Sequence, residues 1–131
     1  MKKKRFLLVE DDPDHAALIT DVLEDNVDGI KTDVILKKDG QEAIDFIQSK
    51  KKEQISLVIL DLNLPKVDGM DVLKFIKKNS RYSSVPVIVL STSSNQKTID
   101  EAYENGANGY FTKPATYEEL VKKVQILKKC C

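Results

Sequence analysis

The stretch LVILDLNLPKVDG, Leu57 to Gly69, decides how this chain folds. Four consecutive apolar residues have the character of a strand buried on both faces. They run straight into Asp61, and the chain then turns at Leu64-Pro65 and Asp68-Gly69. A carboxylate at the end of a buried strand costs free energy unless something neutralises it. The rest of the sequence must therefore supply a partner for Asp61.

Working outward, strand and helix patterns alternate. Phe6 to Val9 is a short apolar run bounded by charge. Asp12-Pro13 can open a helix, since Asp caps and Pro is tolerated in the first turn. Leu18, Ile19, Val22 and Leu23 recur at helical spacing, and Asn26 to Gly29 ends that pattern. Lys31 to Leu36 reads as a second strand. Asp39-Gly40-Gln41-Glu42 has the form of a capping box, followed by an apolar face of Ala43, Ile44 and Ile47. Ile55 to Leu60 is the third strand. A helix over 69–79 turns Val72, Leu73 and Ile76 inward. Pro86 to Leu90 is a fourth strand ending at Ser91. Ile99, Ala102 and Tyr103 mark a fourth helix, closed by Asn105-Gly106. Gly109 to Thr112 is a short fifth strand, and Thr116 to Glu119 caps a last helix carrying Leu120, Val121, Val124 and Leu127.

The order is βαβαβαβαβα. Continuous apolar strands between amphipathic helices predict an α/β fold with a parallel, doubly wound sheet covered on both faces. The 131 residues suit one domain, with no linker, repeat or low-complexity tract to separate a second. Hydrophobic residues make up 41%, enough for a core. Lys plus Arg and Asp plus Glu both number 21, a balance that offers nothing to direct nucleic-acid binding. The basic start Met1 to Arg5 is followed by only four apolar residues, too few for a signal sequence or a membrane span, so a cytoplasmic location is expected. Cys130 and Cys131, adjacent and terminal, read as an exposed tail, and the lysine runs at 2–4 and 50–52 as solvated surface.

Ligands of open α/β sheets bind at the carboxyl ends of the strands. Strand one ends in Glu10-Asp11-Asp12, strand three in Asp61 followed by Asn63, strand four in Ser91-Thr92, and strand five in Lys113-Pro114. If strands one and three are neighbours, which periodicity alone does not establish, Glu10, Asp11 and Asp61 crowd together. Unit charges ~4 Å apart repel by roughly 4 kcal/mol at an effective dielectric of 20. A divalent cation removes that penalty, and an all-oxygen donor set favours Mg²⁺. Helix capping explains Asp12 but neither Asp61 nor Lys113.

FLLVEDDPD, LVILDLNLPKVDGMDVL, VPVIVLSTSS and GANGYFTKP resemble, in order and spacing, the four signature segments of response-regulator receiver domains. The resemblance covers essentially the whole chain. Its narrower form is similar to the single-domain regulators of cyanobacterial and bacterial phytochromes. It implies a CheY-like, flavodoxin-like sheet of five parallel strands in order 2-1-3-4-5, flanked by five helices. It also implies a single receiver domain over 1–131 with no output domain, acting in two-component signal transduction.

Position by position, the resemblance implies that Asp61 is the phosphoacceptor. Asp11, Asp61 and the backbone carbonyl of Asn63 hold Mg²⁺, with Glu10 helping through water. Ser91 and the Thr92 amide meet the phosphoryl oxygens, and Lys113 pairs first with Asp61 and then with the phosphoryl group. Its bond to Pro114 is expected to be cis. Tyr110 is the switch aromatic, turning into space that Ser91 vacates. Asn63 and Ser93 face the path of attacking water. The donor is a sensor histidine kinase or histidine phosphotransfer protein, and the switched surface of helix four, strand five and helix five meets a downstream protein effector or a second copy of the chain. The chemistry is self-phosphorylation and self-dephosphorylation at Asp61, with no activity on other substrates.

Two positions depart from the commonest pattern: Glu10 where Asp is frequent, and Ser91 where Thr is frequent. Neither removes a chemical function. His15 reads as a solvated surface histidine, and Tyr82, Tyr103 and Tyr117 as ordinary packing residues. An aspartate-nucleophile phosphatase is an alternative, but it calls for a second acid two residues after the nucleophile, where Asn63 stands. A phosphorylation-independent docking module would call for a broken acid pair, acceptor or lysine, and all are present. A nucleotide-binding fold lacks its glycine-rich turn after strand one.

Overall fold

A computed structural model describes residues 3–25, 31–49 and 54–129. The expected helix end at 26–29, the lysines at 50–52 and the two cysteines lie outside them. The elements are β1 (Lys3–Val9), α1 (Pro13–Glu24), β2 (Lys31–Lys37), α2 (Gly40–Gln48), β3 (Leu57–Leu60), α3 (Gly69–Lys78), β4 (Val87–Ser91), α4 (Gln96–Glu104), β5 (Gly109–Thr112) and α5 (Tyr117–Lys129). All strand pairings are parallel, and the sheet order is β2-β1-β3-β4-β5. Strands one and three are therefore neighbours, paired through Val9 and Leu60.

Successive strand side chains alternate between faces. Leu7, Val9, Val58, Leu60, Val87 and Val89 face a core shared with Ala43, Ile47, Val72, Leu73, Ile76 and Ala102 of α2, α3 and α4. Phe6, Leu8, Leu57, Ile59 and Leu90 face the other core, built with Ile19 and Leu23 of α1 and Leu120, Val124 and Leu127 of α5. β3 is apolar and buried throughout because each of its faces has helices to meet.

The helix starts follow their caps. Asp12 accepts hydrogen bonds from the Asp14 and His15 amides, Asp39 from Glu42 N, and Thr116 Oγ1 from Glu119 N. Gly106 closes α4 with φ +101°, where a β-carbon would be strained. Below the sheet, Lys77 Nζ donates to Val85 O at 3.0 Å and to Asn108 Oδ1 at 2.9 Å, and burial lowers its pKa.

Several expectations change in detail. β1 starts at Lys3, because Lys3 to Arg5 pair with Lys31 to Asp33 despite their polarity. β3 begins at Leu57, two residues later than its apolar run. Tyr103 is 47% exposed, on the outer side of α4 from Ala102. The expected cis bond before Pro114 is trans, and no peptide bond among the described residues is cis. Lys113 reaches its partners without it, and trans is the favoured isomer for X–Pro by roughly 0.5–1 kcal/mol.

Candidate functional site

Extending the strand alternation by one step places three side chains on one side of the sheet. Glu10 follows Phe6 and Leu8, Asp61 follows Leu57 and Ile59, and Lys113 follows Phe111, all on the α1/α5 face. The backbone holds them level: Asp61 N donates to Val9 O at 3.0 Å, and Lys113 N to Ser91 O at 2.6 Å. Their side chains converge there. Lys113 Nζ lies 2.6 Å from Glu10 Oε1 and 3.0 Å from Asp61 Oδ2.

This is a buried charge cluster. Glu10 is 1% exposed and Asp61 5%, while Asp11 is exposed at the rim. Carboxylate oxygens of Glu10, Asp11 and Asp61 lie within 4.8 Å of one another, a set able to share one cation. Burial, reinforced by the Asp61 charge and only partly offset by Lys113, pushes the Glu10 carboxyl up from 4.5 to about 7. Burial alone would lower the pKa of Lys113, but contact with Glu10 and Asp61 outweighs it and raises the value. Two acids served by one ammonium leave the pocket anionic once Glu10 ionises, and a hard divalent ion fits that donor set. When bound, such an ion supplies charge neutralisation at the oxygens of Asp61 and of an incoming group.

Local turns present the remaining groups. Asp61 Oδ1 accepts from Asn63 N at 3.0 Å, so the turn after β3 folds back onto the acid. Gly69 lies against the Asp61 carbonyl and Leu62 Cα so closely that a β-carbon there would collide with backbone. Asn63 Nδ2 donates to Thr92 Oγ1 at 3.1 Å, bridging the exits of β3 and β4 at the surface. Ser91 is fully buried, and its Oγ accepts from Ser93 N at 3.2 Å. Tyr110 is half-buried against the α2–α4 core, and its hydroxyl donates to Ser93 O at 2.7 Å. The Ser93 backbone therefore joins Ser91 to Tyr110, a link that residue spacing does not reveal.

Sequence reading also missed the setting of His15. His15 is not a solvated histidine: its side chain is 24% exposed, its Nδ1 lies 3.4 Å from Lys113 Nζ, and its ring meets Tyr117 edge-on at 5.8 Å. The available signal was its place one turn into the helix that leaves Glu10-Asp11. Glu10 also touches Lys113 directly, which the water-mediated role expected for it did not include.

No helix among the described residues is long and apolar enough to cross a membrane. The family model of the response regulator receiver domain matches residues 6–125. The chain is 39% identical over 127 residues to the probable methanogenesis regulatory protein FilR2 of Methanothrix harundinacea, covering 95% of this chain and 81% of that protein. It is equally similar, at 39% over 126 residues, to response regulator Rcp1 of Synechocystis sp., covering 93% and 84%. The Mn(2+)-bound form of Rcp1 aligns at a TM-score of 0.88 and 37% identity over 96% of this chain and 92% of that one. The phosphorylated cyanobacterial phytochrome response regulator RcpA aligns at 0.91 and 34%, over 97% and 92%. A match of that extent, on a five-stranded sheet ordered 2-1-3-4-5, makes the chain a member of the response regulator receiver domain family.

Proposed function

We propose that Asp61 accepts a phosphoryl group from a phosphohistidine, carried by a sensor histidine kinase or a histidine phosphotransfer protein. Receiver domains of response regulators are the phosphorylated components of two-component signalling, and the reading assigns that chemistry to particular atoms here. The observation that carries it is the buried cluster of Lys113 Nζ with Glu10 at 2.6 Å and Asp61 at 3.0 Å, beside the exposed Asp11. Asp61 is the member of that cluster at the end of the central strand, with Oδ1 held by the Asn63 amide and Oδ2 by Lys113.

Asp11 and Asp61, with the Asn63 carbonyl and, through water, Glu10, would hold Mg²⁺, which would supply charge to offset that developing on the transferring oxygens. A carboxylate oxygen of Asp61 bonds to phosphorus as the phosphohistidine P–N bond breaks and its electron pair returns to the imidazole. Lys113 leaves Asp61 for the new phosphoryl oxygens. The Ser91 hydroxyl and the Thr92 amide donate to the same oxygens. To do so, Ser91 turns away from Ser93 N. This loosens the Ser93 peptide that holds the Tyr110 hydroxyl. The charge at Asp61 is thereby read out on the α4–β5–α5 surface, as a shift between two packings. That surface docks a downstream protein effector or a second copy of the chain. Turnover is confined to gain and loss of the phosphoryl group at Asp61. Asn63, which donates to Thr92 Oγ1, and Ser93 face the path of attacking water and tune the phosphoryl lifetime.

Incubation with Mg²⁺ and phosphoramidate or acetyl phosphate is expected to label Asp61. Asp61→Asn abolishes labelling, and Lys113→Ala permits labelling but uncouples the change at α4–β5–α5. Robust labelling of Asp61→Asn would reject the assignment.

A further inference from the structure

An ammonium has three N–H donors and no acceptor. Lys113 directs two of them to Glu10 and Asp61, and with its side chain only 5% exposed the third has little water to meet. The group that faces it is His15 Nδ1, at 3.4 Å. We propose that His15 is a positioning residue for Lys113, accepting the third hydrogen bond of the buried ammonium at Nδ1.

The imidazole is held for that task from two sides. Asp12 Oδ1 caps α1 by accepting from the Asp14 and His15 amides at 2.9 and 3.2 Å, which fixes the first turn. Tyr117, from α5, meets the ring at an interplanar angle of 86°. The competing partner for Nδ1 is Asp12 Oδ2, which lies farther away, at 3.7 Å. With Lys113 as the nearer partner and a donor only, the proposal makes Nδ1 the acceptor and places the ring proton on Nε2. Of the three neighbours of Nζ, His15 alone stands outside the acidic cluster. Glu10 and Asp61 are the oxygens a cation also claims, and Asp61 is the atom set that phosphorylation changes. His15 keeps one anchor on the ammonium while its carboxylate partners are re-employed.

The functional consequence rests on Asp61 being the phosphoacceptor, whereas the tautomer does not. The full chain carries one histidine, so its imidazole nitrogens give a single pair of ¹⁵N resonances. The expected spectrum of the metal-free protein has an unprotonated, hydrogen-bonded Nδ1 and a protonated Nε2, and Lys113→Met moves the Nδ1 resonance toward that of a free acceptor. A protonated Nδ1, or no response to Lys113→Met, overturns the proposal. In the second arm, phosphoramidate labelling with saturating Mg²⁺ slows about fivefold in His15→Leu, the scale of one lost hydrogen bond. His15→Gln, which keeps an acceptor, recovers most of the rate. Equal rates in His15→Leu and the parent, or no rescue by His15→Gln, overturn the positioning role. Failure of the parent itself to label Asp61 sinks the phosphoacceptor reading instead, and the ¹⁵N spectrum then decides His15 alone.

Discussion

Lys113→Met keeps most of the apolar stem and deletes the charge, leaving two buried carboxylates without their ammonium. Removing one partner from a buried ion pair costs about 3–5 kcal/mol. Glu10 escapes part of that loss by taking up a proton. Its carboxyl already sits at about 7, so protonation costs nearly nothing at that pH and about 1.4 kcal/mol for each unit above it. The loss below about pH 7 is therefore that of the Asp61 pairing, about 3 kcal/mol. Above it, the variant retains a proton that the parent has released, and the difference widens by about 2 kcal/mol by about pH 8.5. The assay is urea unfolding without divalent metal, followed by far-UV circular dichroism because the chain contains no tryptophan. A loss below about 1 kcal/mol, or one that does not change between about pH 7 and 8.5, would refute the account of the cluster.

Further outcomes follow from the same geometry. Glu10 has a folded pKa raised from 4.5 to about 7, so the stability it contributes is present below 4.5 and lost as pH rises through 7. Glu10→Gln removes that slope, about 3 kcal/mol across the window in metal-free protein, and parallel urea titrations would miss the slope in the parent if the burial argument failed. Divalent metal raises the unfolding free energy by about 2.7 kcal/mol at a hundred times its Kd. Asp11→Asn is expected to abolish most of that gain, and a full gain in Asp11→Asn places the ion elsewhere. Gly69→Ala forces a β-carbon against the Asp61 carbonyl and Leu62 Cα, and is expected to destabilise by about 1–3 kcal/mol and to slow phosphoramidate labelling. Unchanged stability and labelling in Gly69→Ala would show that the turn yields freely.

The element order was legible because it depends on each segment alone. Apolar runs such as Leu57 to Leu60 and helical spacings such as Val72, Leu73 and Ile76 report burial directly, and Asp12, Asp39 and Thr116 mark helix starts by local hydrogen bonding. Most candidate site residues were legible for a related reason: they end apolar strands, and a polar residue there has few structural uses. The placement of His15 was not legible. Its neighbours in sequence are Asp14 and Ala16, while its neighbours in space, Lys113 and Tyr117, lie about a hundred residues onward. The cis isomer before Pro114 was implied by the resemblance, and Lys113 reaches Glu10 and Asp61 with that bond trans.

By itself, then, the sequence determined a βα alternation, two-sided strands and a set of acids, hydroxyls and one lysine at the strand exits. Those are consequences of periodicity and burial, which act within a segment. The resemblance implied the order that puts β1 beside β3, which the sheet has, but only the tertiary structure decided that one ammonium serves both Glu10 and Asp61 with His15 as its third neighbour, and that the Ser93 peptide joins Ser91 to Tyr110. Those relations depend on how crossovers pack segments far apart in the chain, and charges that meet only on packing leave no period in the sequence.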